Sequence, residues 1–293
     1  INVAAGNKVI ICYFENPDAI YPDSIHQAYV ADIVRTGYLK ILATIFIILL
    51  IIIGARQGIK ALLALGLTIL CLYKIMLPAL MQGYSPLLVT VLMLSAVTLL
   101  TMLLIAGFTR KALAATLGTI GGIIVAGFLA YLGGDFASLY GLSTEEERML
   151  LYIENITFDT RGLLFSGILI GAIGAVMDVA MSVASALEEV KRANPDLNSW
   201  QLMGAAMRVG KDIMGTMANT LILAYVGGGL PILILFTAYQ YPGIRILNSE
   251  LIATEIVRAL AGSIGIIISV PITAVVGALL NHGSSKRLSD DDY

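Results

Sequence analysis

The sequence predicts an all-α polytopic membrane protein with seven transmembrane helices, its N-terminus outside and its C-terminus inside. Three observations support this fold class. Of 293 residues, 58% are hydrophobic and only 13% are charged, whereas soluble domains carry about 25% charged residues. The apolar residues form seven long runs. Lysine and arginine fall mainly between alternate runs, as expected of a chain that crosses a membrane repeatedly.

Charge and metal-binding residue types argue against several function classes. The net charge of −2 gives no sign of a nucleic-acid partner. The two cysteines and two histidines show no CxxC or Cys/His spacing, so neither a zinc or redox site nor an intrachain disulfide is predicted. The sequence has no GxSxG or HExxH motif, and no Ser–His pair falls at membrane depth. We therefore expect no enzyme activity and no dedicated cofactor.

Residues 1–37 form a polar segment that we expect to lie outside the membrane, as part of a β-rich domain. The stretch "NKVIICYF" predicts one β-strand, with no partner strand expected beside it. Because an isolated strand is not stable, we expect this domain to be incomplete and the chain to be N-terminally truncated. At the other end, residues 281–293 are expected to form a cytoplasmic tail.

The transmembrane domain is expected over residues 38–280. A spanning helix needs roughly 20 apolar residues, and seven runs approach or exceed this length. Turn sequences such as "GARQG", "QGYSP" and "GFTRK" separate several of them. The predicted helices cover residues 38–54, 61–81, 86–106, 112–133, 162–187, 213–238 and 254–280.

The positions of basic residues predict the orientation of these helices. Ten lysines and arginines fall on one side of the predicted membrane, which we assign to the cytoplasm. The loop 134–161 on the opposite side carries three consecutive glutamates. The ten cytoplasmic cations are Arg56, Lys60, Arg110, Lys111, Lys191, Arg192, Arg208, Lys211, Lys286 and Arg287.

Two segments between the predicted spans carry capping-box patterns, which mark helix starts. Ser143 precedes Glu146 by three residues, and Asn198 precedes Gln201 by the same distance. The first pattern predicts a helix along the outer surface. The second predicts either an interfacial cytoplasmic helix that runs into the sixth span or an ordinary linker helix.

The fifth predicted span contains an aspartate, Asp178, with no other charged residue near it. Charge inside a membrane is costly, so such a residue faces another helix or a water-filled cavity. Residues at helical spacing share its face, and all of them are small or polar. They are Gly171, Gly174, Ser182, Ser185 and Glu189.

The sixth predicted span carries a matching polar stripe. Asp178 and Asn219 lie roughly 14 and 10 Å from the inner ends of their helices, so we expect the two stripes to face each other. Lys211 and Arg208 are expected at the inner mouth, paired with Glu188 or Glu189. The stripe consists of Asp212, Thr216, Asn219 and Thr220.

The sixth span also contains "YVGGGLP", in which Gly227, Gly228 and Gly229 are followed by Pro231. Three glycines and a proline weaken a helix and free its carbonyl groups. In membranes such breaks occur where the backbone is buried in protein or lines a cavity. The pattern predicts either a plain kink or a break that serves a substrate path.

These residues leave two functions open. In the first, Asp178 binds a proton or a cation such as Mg²⁺ or Mn²⁺ during transport, with hydroxyl and amide oxygens around it as ligands. In the second, Asp178 only specifies helix packing in a non-transporting component that assembles or senses. The expected partners are the lipid bilayer, a small ion or solute, and a second copy or another membrane subunit.

Two long motifs resemble the YibE/F-like family of bacterial membrane proteins. They are "GAIGAVMDVAMSVASALEEV" and "GKDIMGTMANTLILAYVGGGLP", and the resemblance extends from about residue 28 through most of the chain. It implies a multi-helix protein of the bacterial inner membrane with a presumed transport role. Family members usually carry an upstream transmembrane helix and a complete extracytoplasmic β-rich domain, and this sequence starts within that domain.

Overall fold

The structure is a computed structural model that describes residues 8–15, 25–153 and 158–281. Of the expected cytoplasmic tail, 281–293, only Asn281 falls within the described residues. The chain divides into two compact units, residues 1–62 and residues 63–293, which are described separately.

In the first unit, the predicted strand has a partner, so the expectation of an unpaired strand was wrong. Strand β1 (Val9–Glu15) pairs antiparallel with strand β2 (Ile25–Ile33), with Val9 opposite Ile33. The sequence of β2, "IHQAYVADI", mixes β-formers with polar residues, so its strand pattern is weak. Each strand supplies backbone hydrogen-bond partners to the other, although two strands alone form only a marginally stable sheet in water.

Helix α1 (Thr36–Cys71) begins in the first unit and ends in the second. A π-helical turn (Leu72–Met76) and helix α2 (Leu77–Met81) continue it. The first two predicted spans therefore fall on one helical stretch of 46 residues, without the loop we expected between them. The predicted break appears instead as a kink, because Ala55 has φ 44° and ψ −123°, outside the helical region.

The remaining helices follow the predicted spans closely. Within the described residues, six helical stretches are long and apolar enough to cross a membrane, whereas we predicted seven separate helices. Most extend beyond the apolar run at one or both ends. The long helices after α2 are α3 (Pro86–Ala106), α4 (Arg110–Phe136), α6 (Thr160–Ala193), α7 (Ser199–Ala238) and α9 (Glu250–Leu280). Two short helices, α5 (Glu145–Met149) and α8 (Gly243–Leu247), lie between them and match no predicted span.

The helix starts are stabilised by side-chain caps. At α7 the predicted capping box is present: the Asn198 side chain accepts from the Gln201 amide at 2.9 Å, and the Gln201 side chain accepts from the Asn198 amide at 3.0 Å. At α5 the predicted box is displaced by one residue, because Thr144 and Glu147 form it instead of Ser143 and Glu146. Both pairs fit the same sequence pattern, so the pattern alone did not distinguish them.

Helices α4, α6 and α9 form the centre of the second unit. Glycines allow α4 and α9 to approach closely: a Cβ built on Gly122 would lie 2.7 Å from the Gly265 carbonyl oxygen. A Cβ on Gly118 would likewise collide with the Thr273 side chain. Buried Thr119 and Thr273 donate hydrogen bonds to carbonyl groups of their own helices, so their hydroxyls are satisfied. Gly118 and Gly122, four residues apart on one face of α4, thus allow the close packing that small residues give membrane helices.

Helix α7 packs against α6 and α9 but leaves most of its surface exposed. It continues without interruption through Gly227–Gly229 and Pro231, so the expected helix break is absent. Pro231 removes one backbone donor, and the surrounding helical turns hold the conformation despite that loss. In the part of the chain that the structure describes, no atom of another segment lies within 4 Å of a Cβ built on any of the three glycines.

Candidate functional site

The Asp178 side chain lies on an exposed face of α6. Gly171, Gly174 and Glu189 on the same face are also exposed, and Ser182 and Ser185 are half-buried. The opposite faces carry buried residues such as Val176 and Val179, which pack into the core. The small and polar residues thus form one continuous stripe, with Asp178 near its middle.

Among the described residues, the Asp178 carboxylate has no hydrogen bond and no ion pair. It lies about 27 Å along α6 from Thr160, well inside a helix that is apolar enough to span a membrane. An unpaired carboxylate at such a depth is unfavourable unless it is protonated, hydrated or bound to a ligand. The Asp178 carboxylate therefore requires a proton, an ion, water or another helix beside it.

Two contacts define how α6 and α7 lie beside each other. A Cβ built on Gly210 would lie 3.2 Å from a Val183 methyl, and one built on Gly171 would collide with the Tyr225 hydroxyl. Asp178 lies between these contacts on α6, so it is level with the part of α7 around Thr216. The two polar stripes are thus at similar depth, in agreement with the estimate from helix rise.

No hydrogen bond joins the two stripes within the described parts of the chain. On α7, Asp212, Thr216, Asn219 and Thr220 are exposed, while Gly210 and Leu221 are buried against the neighbouring helices. The Thr216 hydroxyl donates to the Ile213 carbonyl at 2.8 Å, and the Thr220 hydroxyl donates to the Thr216 carbonyl at 2.9 Å. Both hydroxyl oxygens keep lone pairs that can accept a hydrogen bond or bind a cation.

At the C-terminal end of α6 the ion pairs differ from those we expected. Glu188 lies 3.7 Å from the Lys111 ammonium and 3.8 Å from the Arg192 guanidinium. Glu189 pairs with Arg192 at 3.3 Å. Lys211 is exposed and forms no ion pair with a described residue, so the predicted pairing of Lys211 or Arg208 with these glutamates was wrong. Arg192 is one helical turn from both glutamates, so its guanidinium reaches them along α6 itself. Arg208 and Lys211 would have to reach them from α7.

A cluster that the sequence analysis did not assign to the site lies between α7 and α9. Arg258 and Glu255, three residues apart on α9, form an ion pair of 3.0 Å. The Arg258 guanidinium lies 5.7 Å from the centre of the Tyr225 ring, and the buried Tyr225 hydroxyl has no hydrogen-bond partner among the described residues. Tyr225 lies five residues after Thr220, at the end of the polar stripe of α7. This continuation of the stripe is the only sequence signal that points to Tyr225.

Tyr225, Gly229 and Glu255 also line a largely apolar cavity of about 310 Å³ between these two helices. The ion pair therefore lies beside space that the helices leave open. Of the two charged residues of α9 that follow Glu250, Glu255 lies at the edge of this cavity and Arg258 pairs with it.

Metal binding at Asp178 would depend mainly on uncharged ligands. Among the described residues, no group of three His, Cys, Asp or Glu side chains lies close enough to hold a metal ion. Mg²⁺ and Mn²⁺ accept hydroxyl, carbonyl and water oxygens beside a single carboxylate. Ser182 and Ser185 on α6 and Thr216 on α7 are the nearest candidates along the two helices.

Comparisons with known proteins give one family. No curated protein and no solved structure matches the chain. Residues 42–283 match the family described as YibE/F-like protein, which covers most of the chain and includes both polar stripes. The motifs around Asp178 and the α7 stripe led to the same family. The chain is therefore a multi-pass membrane protein that belongs to the YibE/F-like family.

Proposed function

We propose that this protein is a secondary transporter or export factor of the bacterial inner membrane, in which Asp178 binds the coupling proton or cation. One observation carries the proposal: an unpaired carboxylate on a glycine- and serine-lined face, deep in an apolar helix. A charge at the centre of a bilayer costs about 3 kcal/mol or more, and intramembrane carboxylates are typical of ion pathways and proton relays.

The proposed topology has seven crossings, with the N-terminus outside and the C-terminus inside. The kink at Ala55 divides the first helical stretch into residues 36–54 and 56–81, each close to the roughly 20 residues that one crossing requires. A straight helix of 46 residues would be about 69 Å long, more than twice the hydrocarbon thickness. The distribution of lysine and arginine supports this orientation.

The proposed binding site lies between the polar stripes of α6 and α7. Asp178 supplies the charge, and the hydroxyl and amide oxygens of the two stripes supply neutral ligands. This set suits H⁺ or a hard cation such as Mg²⁺ or Mn²⁺. The neutral ligands are Ser182, Ser185, Thr216, Asn219 and Thr220.

The proposed moving element is α7, which is held less tightly than α4, α6 and α9. Most of its surface is exposed, and Gly227–Gly229 have open space on their side-chain faces. A small movement of α7 relative to α6 would open or close the space beside Asp178. At the inner mouth, Glu189, Lys211 and Asp212 are exposed and carry the charges that an entering ion would meet.

The experiment is charge movement in proteoliposomes, measured by solid-supported membrane electrophysiology. Wild type and Asp178→Asn receive pH jumps and steps of Mg²⁺, Mn²⁺ and Na⁺. The control is Asp196→Asn, which removes the same charge from an exposed residue between α6 and α7. We expect currents in wild type and the control, and a decrease of at least tenfold in Asp178→Asn.

Two results would refute this assignment. Equal currents in Asp178→Asn and wild type would remove Asp178 from the coupling mechanism. The absence of current or of pH change inside the liposomes, for every cation tested, would favour the other function, a non-transporting assembly or sensing component. The exposed α6 face fits that function also, since a partner helix could cover it, and Asp178→Asn would then reduce assembly and leave ion fluxes at the background level.

A further inference from the structure

A cavity of about 210 Å³ lies where α4 begins and where α6 and α9 end. Its polar lining consists of Arg110, Lys111, Glu188 and Asn281. A single ordered water needs only about 10–15 Å³ of accessible volume, so the cavity has room for a polyatomic group. We propose that this cavity binds a phosphate group, either in the headgroup of an anionic phospholipid or as free phosphate.

The cations around the cavity have unused hydrogen-bonding capacity. Arg110 forms no hydrogen bond or ion pair with any described residue. Lys111 lies 3.7 Å from Glu188, well beyond the roughly 2.8 Å of a charge-assisted hydrogen bond. Glu188 also lies 3.8 Å from Arg192, so it is held loosely between two cations. The lining therefore offers donors that a phosphate can use.

The charge of the lining favours an anion over a metal ion. Two cations and one carboxylate line the cavity. A divalent cation would meet more repulsion than attraction there, whereas a phosphate adds the negative charge that the cations lack. Arginine binds phosphate oxygens through paired N–H groups and lysine binds them as a point charge. The α4 dipole has its positive end here, whereas α6 and α9 have their negative ends here, so the charge that favours an anion comes from the side chains.

The apolar floor of the cavity is closely packed. A Cβ built on Gly277 would lie 2.9 Å from a Leu187 methyl and 3.5 Å from the Ala114 side chain, so α9 approaches α4 and α6 closely at this level. Above this floor, α4 and α6 contribute the charged groups and the end of α9 contributes the Asn281 amide. They lie where spanning helices leave the hydrocarbon, which is the level of phospholipid phosphates. The site does not include Asp178 and does not depend on the proposed transport.

The test measures phosphate binding to the full chain in a neutral detergent, by native mass spectrometry. The probes are phosphatidylglycerol, the zwitterionic phosphatidylcholine, and inorganic phosphate. We expect phosphatidylglycerol to bind at least tenfold more tightly than phosphatidylcholine. The double variant Arg110→Gln/Lys111→Gln should weaken binding about 100-fold, taking roughly tenfold for each lost charge-assisted hydrogen bond.

The control variant is Arg56→Gln/Arg208→Gln, which removes the same charge from residues outside the cavity lining. It should bind like wild type. Glu188→Gln removes the carboxylate that competes for the cations, so it should strengthen binding. These opposite effects keep the test informative if the double variant folds poorly.

Inorganic phosphate separates the two sources. If millimolar phosphate binds alone and displaces the lipid, the ligand is a free phosphate. If it does not displace phosphatidylglycerol, the ligand is a lipid headgroup. The proposal is overturned if neither probe loses affinity in the Arg110/Lys111 variant, or if the control variant loses as much.

Discussion

The close approach of α4 and α9 predicts a specific response to Gly122→Ala. The new methyl would lie 2.7 Å from the Gly265 carbonyl oxygen and 2.9 Å from a Val176 methyl. The Gly265 oxygen belongs to the backbone and the Val176 methyl to a buried β-branched side chain, so neither can rotate away. Ordinary van der Waals contact begins at 3.4 Å, and the helices must therefore separate by several tenths of an ångström.

Overpacking of this kind costs about 1–3 kcal/mol. The same substitution also gains up to about 1 kcal/mol of helix propensity, which hides part of the cost. The matched control is Gly215→Ala in α7, where nothing lies within 4 Å of the added methyl. Both variants gain the same propensity, so the difference between them isolates the overpacking.

The assay is thermal unfolding of both variants in the same detergent. A difference of 1–3 kcal/mol corresponds to a Tm of Gly122→Ala that is roughly 2–12 °C below that of Gly215→Ala. Circular dichroism and a dye-based melt should report the same order. Equal Tm values for the two variants would refute the close α4–α9 packing from which the prediction is derived.

Three further predictions concern charged and capping residues. Arg258→Gln leaves the half-buried Glu255 carboxylate without its partner and should lower the free energy of unfolding by about 1–3 kcal/mol; a double variant with Glu255→Gln should recover part of it. Asn198→Ala removes the α7 cap and should cost about 1 kcal/mol in a chemical-denaturation assay, and an unchanged midpoint would contradict the cap. A backbone N–H and the Arg35 guanidinium hold the pKa of Asp32 below its usual value. The stabilisation is therefore present above the unfolded-state pKa of Asp32 and is lost as pH falls through its lowered folded-state pKa. Arg35→Gln should move the Asp32 titration, followed by carbon-13 NMR, to higher pH. A titration that does not move would contradict the contact between Asp32 and Arg35.

Local features were predicted well because they depend on residues close together in the chain. The apolar runs identified the long helices, and the Asn198 capping box was found from its spacing alone. The kink at Ala55 lies within the predicted break "GARQG". The shared face of Asp178, Ser182 and Ser185 follows from helical spacing, since residues four and seven apart lie on one side of a helix.

Errors arose where several local patterns competed. The pattern around Ser143 allowed two capping boxes one residue apart, and the structure has the one at Thr144. The glycines before Pro231 weaken a helix in general, yet α7 continues through them because the flanking turns remain intact. The second β-strand was missed because its polar residues obscure the strand pattern until the pairing is seen.

The sequence by itself determined that this chain is a multi-pass membrane protein, where its long helices lie, and which face of α6 carries Asp178. Composition and helical periodicity are properties of a continuous segment, so they can be recognised without knowing the fold. Only the tertiary structure decided that Lys111 lies beside Glu188, that Tyr225 packs against Gly171 and Arg258, and that α4, α6 and α9 form the centre. These contacts join residues that are far apart in the chain. They depend on the helix faces that pack together, and the side-chain spacing along one helix does not specify that packing.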